Sequence, residues 1–338
     1  MTLTSDQAAP AEFRAQTLTI AKALNAGLRR ALEADPRVLL MGEDVGRLGG
    51  VFRITEGLQD AFGAERVWDT PLAESGIVGT AVGLALRGYR PIVEIQFDGF
   101  VFPAFDQIVT QLARLRFRSH GRLAVPVVVR IPYGGGIGAI EHHSESPEAY
   151  FCHAPGLKVV TPATASDAYW MIQQAVASDD PVIFFEPKRR YYERGLVDPD
   201  AAPPPLHGAR VARPGTDATV LCYGPTVTTC LDAARAAETE GRSLEVVDLR
   251  SLSPLDDDVI VDSVQRTGRC VVVHEAARSG GLGAEIAARV GEACFYALEA
   301  PVARVTGFDL PYPPAKAEHA WLPDVDRVLA AVDRVLAG

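Results

Sequence analysis

Cysteine is scarce in this chain and patterned for nothing. The 338 residues hold five (Cys152, Cys222, Cys230, Cys270, Cys294), an odd number, widely spaced and without a C-x-x-C pair. That excludes a disulfide framework and a cysteine-ligated zinc site, and reduced core thiols are the expectation. Long apolar runs are missing too: no segment approaches the ~20 uninterrupted apolar residues of a membrane span. The start, MTLTSDQAAPAEFRAQ, has no apolar signal core. Positive charge is in deficit, with 33 Lys and Arg against 43 Asp and Glu and a net charge of -10. Such a field repels phosphate backbones and anionic lipid, so neither nucleic acid nor a membrane is an expected partner. Together these lacks describe a soluble, cytoplasmic protein.

Several catalytic signatures are also absent. There is no G-x-x-x-x-G-K-[ST], no G-x-S-x-G and no H-E-x-x-H, which removes support for phosphate-loop, hydrolase-elbow and zincin chemistry. A dinucleotide site wants G-x-G-x-x-G straight after a strand, opening a helix, with an acid about 20 residues on. GGGIGA (134–139) follows a strand pattern, but Glu141, His142, His143 and Pro147 come next instead of a long helix. SGGLGAE (279–285) opens a helix with the wrong spacing. Asp248 ends LEVVDL as a ribose-binding acid would, yet the turn YGPTVTT before it has too few glycines.

What is present is an alternation. Leu18, Ala21, Leu24, Leu28 and Leu32 fall on one helix face. Apolar runs recur at 38–42, 91–97, 126–132, 157–162 and 181–187, with helical patterns between them at 102–119 and 165–178. Continuous apolar strands alternating with helices predict a mostly parallel sheet covered on both faces, with ligands outside the carboxyl ends of its strands. ERGLVDPDAAPPPLHG (193–208) has no periodicity and reads as a linker. A second α/β series follows it and closes with a helix near 324–336. The expected organisation is a flexible start over 1–16, a first domain over 17–192, a linker over 193–208 and a second domain over 209–338. Apolar residues make up 48% of the chain, rich enough to suggest contacts between chains.

Two places are unusual. In EHHSESPEAYF (141–151), two histidines stand beside a serine and two glutamates. In an extended segment His142 and His143 would point to opposite faces and chelate one ion poorly, while Ser146-Pro147-Glu148 resembles a helix start. The other is Glu74, in DTPLAESGIVGTAVGLALRG (69–88). An acid just after Thr70-Pro71 is favoured by the helix dipole by about 0.3–1 kcal/mol, which alone would explain it. Its neighbours Leu72, Ala73, Ile77 and Val78 are apolar, and Gly76, Gly79, Ala81, Gly83 and Ala85 follow. A carboxyl desolvated there would have a raised pKa and could give a proton to a heterocyclic nitrogen.

The blocks GEDVG (42–46), GGVFRIT (49–55), DTPLAESGIVG (69–79), RPIVEIQF (90–97), FPAFDQIV (102–109), HHSESPEAYF (142–151), PGLKVV (155–160), PVIFFEPK (181–188) and GRCVVVHEA (268–276) occur in order, within a likeness that runs from about residue 17 to the C-terminus. Together they resemble the β chain of the thiamine-diphosphate-dependent decarboxylase component of a 2-oxo acid dehydrogenase complex, the branched-chain type above all. The resemblance implies a transketolase-like fold: an α/β chain of two doubly wound, mostly parallel-sheet domains, a pyrimidine-binding domain and a C-terminal transketolase-like domain.

It also implies roles. Glu74 would share a proton with the aminopyrimidine ring of thiamine diphosphate, promoting the step in which the cofactor attacks the 2-oxo carbon and carbon dioxide leaves. Leu72, Gln96 and Phe100 would line the pyrimidine pocket; relatives often carry tyrosine at position 100, so a hydroxyl contact is lost here. His143 would serve acyl transfer to a lipoyl group as general acid, with His142 second. Glu145, where relatives commonly have glutamine, would raise the pKa of His143. The G-D-G block that binds Mg2+ in such enzymes is missing, FDGF (97–100) being the nearest string. Half a site is therefore expected, with Mg2+ held by an α chain, two α and two β chains assembling, and the second domain docking a lipoyl acyltransferase core. A potassium ion on backbone carbonyls is a further implication. His274 and Glu275 are expected to be structural. Pyruvate- and acetoin-cleaving relatives share these motifs, and a non-catalytic assembly scaffold is the rival from another class.

Overall fold

The computed structural model describes residues 14–338. Of the flexible start expected over 1–16, residues 1–13 lie outside the described residues, and Gln16 already stands in a strand. The strands in chain order are β1 (Gln16–Thr19), β2 (Val38–Gly42), β3 (Val67–Asp69), β4 (Arg90–Glu94), β5 (Val128–Tyr133), β6 (Lys158–Val160), β7 (Val182–Pro187) and β8 (Arg194–Val197). They continue as β9 (Arg210–Arg213), β10 (Ala218–Cys222), β11 (Leu244–Asp248), β12 (Ser251–Ser253), β13 (Cys270–Val273) and β14 (Ala303–Val305).

A seven-stranded sheet in the order β12-β6-β7-β5-β4-β2-β3 is parallel except for β12 at its edge. Its continuous apolar strands divide by alternation, because successive side chains of a strand point to opposite faces. Ile92, Val128 and Phe184 pack against the helices Ile20–Ala34 and Ala165–Ala177; Val93, Val129, Ile183 and Phe185 pack on the other face with Ile77, Val78, Ile108 and Leu112. The second sheet, β14-β13-β10-β11-β9, is parallel apart from β9 and is likewise covered on both faces. One core runs on between the sheets through Tyr133, Phe151, Leu157, Tyr223 and Leu252. No helix among the described residues is long and apolar enough to cross a membrane.

Outside the histidine turn at 141–143, the structure departs from the sequence expectation in three places. The segment expected as linker begins with β8, which pairs antiparallel with β1; two short strands with little alternation gain order from each other, which no local pattern records. The helix expected over 102–119 is three pieces: a 3-10 segment Asp98–Ala104 containing Pro103, a wide π-helical turn Gln107–Leu112 and the α-helix Ala113–Arg118. Pro103 has no N–H for the ladder, and π turns are rare and concentrate at functional sites. The helix placed just after Thr70-Pro71 begins at Glu74, because the Thr70 N–H is taken by the Gly42 carbonyl at 2.9 Å and continues the strand edge.

Buried charges tie the sheets together. Arg250 Nε reaches Asp167 Oδ1 at 3.0 Å, and Arg210 bridges Asp167 (2.9 Å) and Asp248 (3.0 Å). Burial and the neighbouring Asp167 push the Asp248 carboxyl up to about 7, so the acid that mimics a ribose ligand is a structural one. The glycine loop after β5 is equally occupied: Gly135 donates to Glu275 (3.1 Å), and Gly136 and Gly138 donate to Glu318 (3.1 and 3.2 Å). Its free N–H groups thus cradle carboxylates of the same chain. His274 is fully buried, its Nε2 accepting the Gly283 N–H at 3.2 Å, and burial lowers its pKa to about 4. The five cysteines are free, four of them buried.

Candidate active site

The parallel register sets Gly42, Asp69 and Glu94 side by side at the carboxyl ends of β2, β3 and β4. The residues just past these strand ends therefore emerge at one edge: Glu43 and Asp44, Thr70, and Gln96. Parallel sheets place ligands at this edge. Two polar atoms here are buried without a hydrogen-bond partner, Glu43 Oε1 and Thr70 Oγ1. Buried polar groups are nearly always paired with protein, water or ligand, so these two atoms leave hydrogen-bonding capacity at the edge where a ligand would sit.

Glu74 opens the helix Glu74–Leu86 and is 9% exposed, its carboxyl making no hydrogen bond among the described residues. Burial, then the charges of Glu74 and Asp44, push the Glu43 carboxyl above its usual range. Gln96 Nε2 donates to Asp44 Oδ2 at 3.3 Å and lies 3.5 Å from the Glu43 carbonyl. The outer face of the Glu74 helix is bare: an added Cβ would meet nothing nearer than 3.6 Å at Gly76 and 3.9 Å at Gly79, and nothing within 4 Å at Gly83. Leu72, just before the helix, is 79% exposed.

An aromatic group carries the histidine. Phe97, Phe100 and His143 form a triangle, His143 packing on Phe97 at 4.0 Å between centroids and edge-on to Phe100 at 5.2 Å. Residues 141–143 are a 3-10 turn, not the extended segment expected, yet the two histidines still diverge. His142 is exposed and meets Glu141 at 3.0 Å, whereas His143 Nδ1 is buried without a partner. The expected upward influence of Glu145 on His143 is corrected: burial first, then the charges of Lys188 and His142, lower its pKa. Glu145 is itself shifted up by burial, and its backbone N–H is its tie to the site. The helix after Pro147 starts at Glu148 without a side-chain cap, because the capping position is Pro147 itself, which carries no side-chain acceptor; Glu148 turns inward to accept from Tyr223 at 2.7 Å, and burial pushes it up to about 8.

Three participants were not singled out from the sequence: Glu43 and the buried pair Asp98–Lys188. GEDVG, FDGF and FFEPK contain them, but nothing local tells a core acid from a solvated one. Gly99 is placed by sterics. A Cβ there would lie 2.5 Å from the His142 carbonyl oxygen and 2.8 Å from its Cα. Gly99→Ala should therefore displace the histidine turn and destabilise the fold by about 1–3 kcal/mol. Faster amide exchange across 141–145 together with a lower denaturation midpoint would bear this out, and unchanged values of both would refute it. Beyond the turn, a cleft of about 680 Å3 opens between the two sheets' loops, lined by Phe105, Glu145, Tyr150, Glu275, Tyr312 and Trp321 among others.

Comparison with known proteins agrees on the family. Residues 16–193 match the transketolase pyrimidine-binding domain and residues 207–328 the transketolase C-terminal domain. The chain is 64% identical over 326 residues to the pyruvate dehydrogenase E1 component subunit beta of Leifsonia xyli, covering 96% of this chain and 97% of that one. It is 59% identical over 322 residues (95% and 92%) to the 3-methyl-2-oxobutanoate dehydrogenase subunit beta of Mycobacterium tuberculosis. Against the 2-oxoisovalerate dehydrogenase subunit beta of Pseudomonas aeruginosa it is 47% identical over 347 residues (97% and 98%). Among solved structures, a split-gene transketolase described as an inactive beta4 tetramer superposes with a TM-score of 0.78 at 24% identity, covering 95% of this chain and 98% of that one, and shares the fold.

Proposed function

The chain belongs to the β subunits of the thiamine-diphosphate-dependent decarboxylase component of 2-oxo acid dehydrogenases, and from that premise we propose that, paired with an α chain, it decarboxylates a branched-chain 2-oxo acid and passes the acyl group to a lipoyl domain. Thiamine diphosphate supplies the electron sink that lets the carboxyl group leave. The observation that carries the reading is the strand-end cluster: a shielded Glu74 whose carboxyl has no hydrogen-bond partner among the described residues, beside orphaned Glu43 Oε1 and Thr70 Oγ1. Those donors and acceptors suit the polar edge of an aminopyrimidine, and Phe100 offers a flat apolar face next to Gln96.

Within this chain Glu74 holds and shares the proton at its carboxyl oxygen, and Gln96 and Phe100 bind and orient. His143 moves a proton at its imidazole during acyl transfer. Leu72 reaches the ring only when a second chain covers it. The α chain brings the Mg2+ ligands, since the G-D-G block is missing here. Two α and two β chains assemble, burying the bare face of the Glu74 helix, and the domain after residue 209 docks the acyltransferase core. A potassium ion on backbone carbonyls of the first domain and a cytoplasmic location complete the proposal.

The substrate preference rests on HHSESPEAYF and IQF, which look closer to branched-chain than to pyruvate enzymes. A second reading, pyruvate, is favoured by the name of the Leifsonia relative. Assaying the co-purified α and β chains with 3-methyl-2-oxobutanoate and with pyruvate separates them, a higher kcat/KM for the first being expected. Turnover by the β chain alone would overturn the two-chain site.

A further inference from the structure

The turn that presents His143 is fastened from beneath by two residues far apart in the chain. Lys188, just past β7, and Asp98, just past β4, are both fully buried and meet at 2.5 Å through Nζ and Oδ1. The other oxygen of Asp98, Oδ2, accepts the backbone N–H of Glu145 at 2.8 Å. One carboxylate thus joins the lysine to the turn two residues beyond the imidazole, while the adjacent Phe97 ring packs on that imidazole and Gly99 packs on the His142 backbone. A buried ion pair gives little net stability, so its presence calls for another account.

We propose that Asp98 and Lys188 are positioning residues for His143: Lys188 fixes Asp98, and Asp98 fixes the turn that carries the imidazole into the site. The proposal rests on the reading of His143 as the acyl-transfer histidine. The pair also acts on charge. The groups facing His143 are Glu141, His142 and Glu145 from its own turn, Lys188 from the end of β7, and Asp98 from the segment after β4. Of these, Lys188 follows burial as a cause lowering the His143 pKa and Glu141 opposes it. Removing the lysine charge should therefore move the imidazole titration upward.

The test uses the enzyme assembled with its α chain in three variants: H143N, D98N/K188M and D98L/K188M. Each double substitution removes both charges at once, so no lone ion is left buried. The asparagine amide oxygen can still accept the Glu145 N–H, and leucine cannot. Two quantities are read: the titration midpoint of His143 by NMR of histidine-labelled enzyme, its resonance identified by loss in H143N, and the ratio of lipoyl-domain acylation to dye-coupled decarboxylation. Because each double substitution removes the lysine and carboxylate charges together, the midpoint should follow the position of the ring: displaced in D98L/K188M and near wild type in D98N/K188M, which keeps the Glu145 tie. The ratio should fall on the order of ten- to a hundred-fold in D98L/K188M, as loss of positioning does, and recover towards wild type in D98N/K188M. Wild-type ratio and midpoint in both would overturn the proposal. If D98L/K188M does not assemble, a fourth variant, K188M, decides: it removes the lysine that fixes Asp98 and lowers the imidazole pKa, and an unshifted midpoint with a wild-type ratio there overturns the proposal. A wild-type ratio in H143N would instead refute the role given to His143, and the midpoint would then decide whether the pair governs the imidazole.

Discussion

Glu74→Gln, in enzyme assembled with the α chain, should lower thiamine-dependent decarboxylation about 10²- to 10⁴-fold, the range for losing a positioned proton donor. Glutamine keeps the shape of the side chain. The Glu74 carboxyl makes no hydrogen bond among the described residues, so only its helix-dipole contribution of about 0.3–1 kcal/mol goes with the charge. Assembly and unfolding midpoint should accordingly stay close to wild-type values while turnover collapses. A second readout lies in the chain itself: Glu43 is held above its usual range partly by the Glu74 charge, and its titration should move down in the variant. Undiminished decarboxylation would favour the scaffold alternative, in which the acid merely starts a helix.

The second large effect concerns the fold beneath the site. Arg130 of β5 is fully buried between Glu94 (2.6 Å) and Glu186, which it holds through Nε and Nη2 at 2.6 and 3.0 Å; Tyr191 donates to the same Glu186 at 2.6 Å. Arg130→Met would strand two buried carboxylates, at a cost of about 3–5 kcal/mol. Burial already holds the Glu94 carboxyl above its usual range, with the arginine charge opposing. Without the arginine the Glu94 carboxyl would titrate higher still in the folded state. A folded pKa raised above the unfolded value of about 4.3 gives stability that is present at low pH and lost as pH rises through the folded value. The deficit of Arg130→Met should therefore grow from pH 5 to pH 8 in urea denaturation. Adding Glu94→Gln and Glu186→Gln should restore most of it. A deficit under about 1 kcal/mol at pH 8 would mean the carboxylates are solvated some other way, contrary to their burial.

The sequence by itself determined the elements whose cause is local. β2, β5 and β7 are apolar runs too short for helices, and the helices Ile20–Ala34 and Val325–Leu336 repeat apolar residues at helical spacing. Glu74 was legible because one acid interrupts an otherwise uncharged run. The tertiary structure decided what depends on distance along the chain. Lys188 meets Asp98 across 90 residues, Glu318 reaches Gly136 across 182, and β12 joins the first sheet at β6. Alternation and helical spacing report only which face of an element is buried; which buried acid meets which buried base follows from strand order, and strand order is written in no single segment.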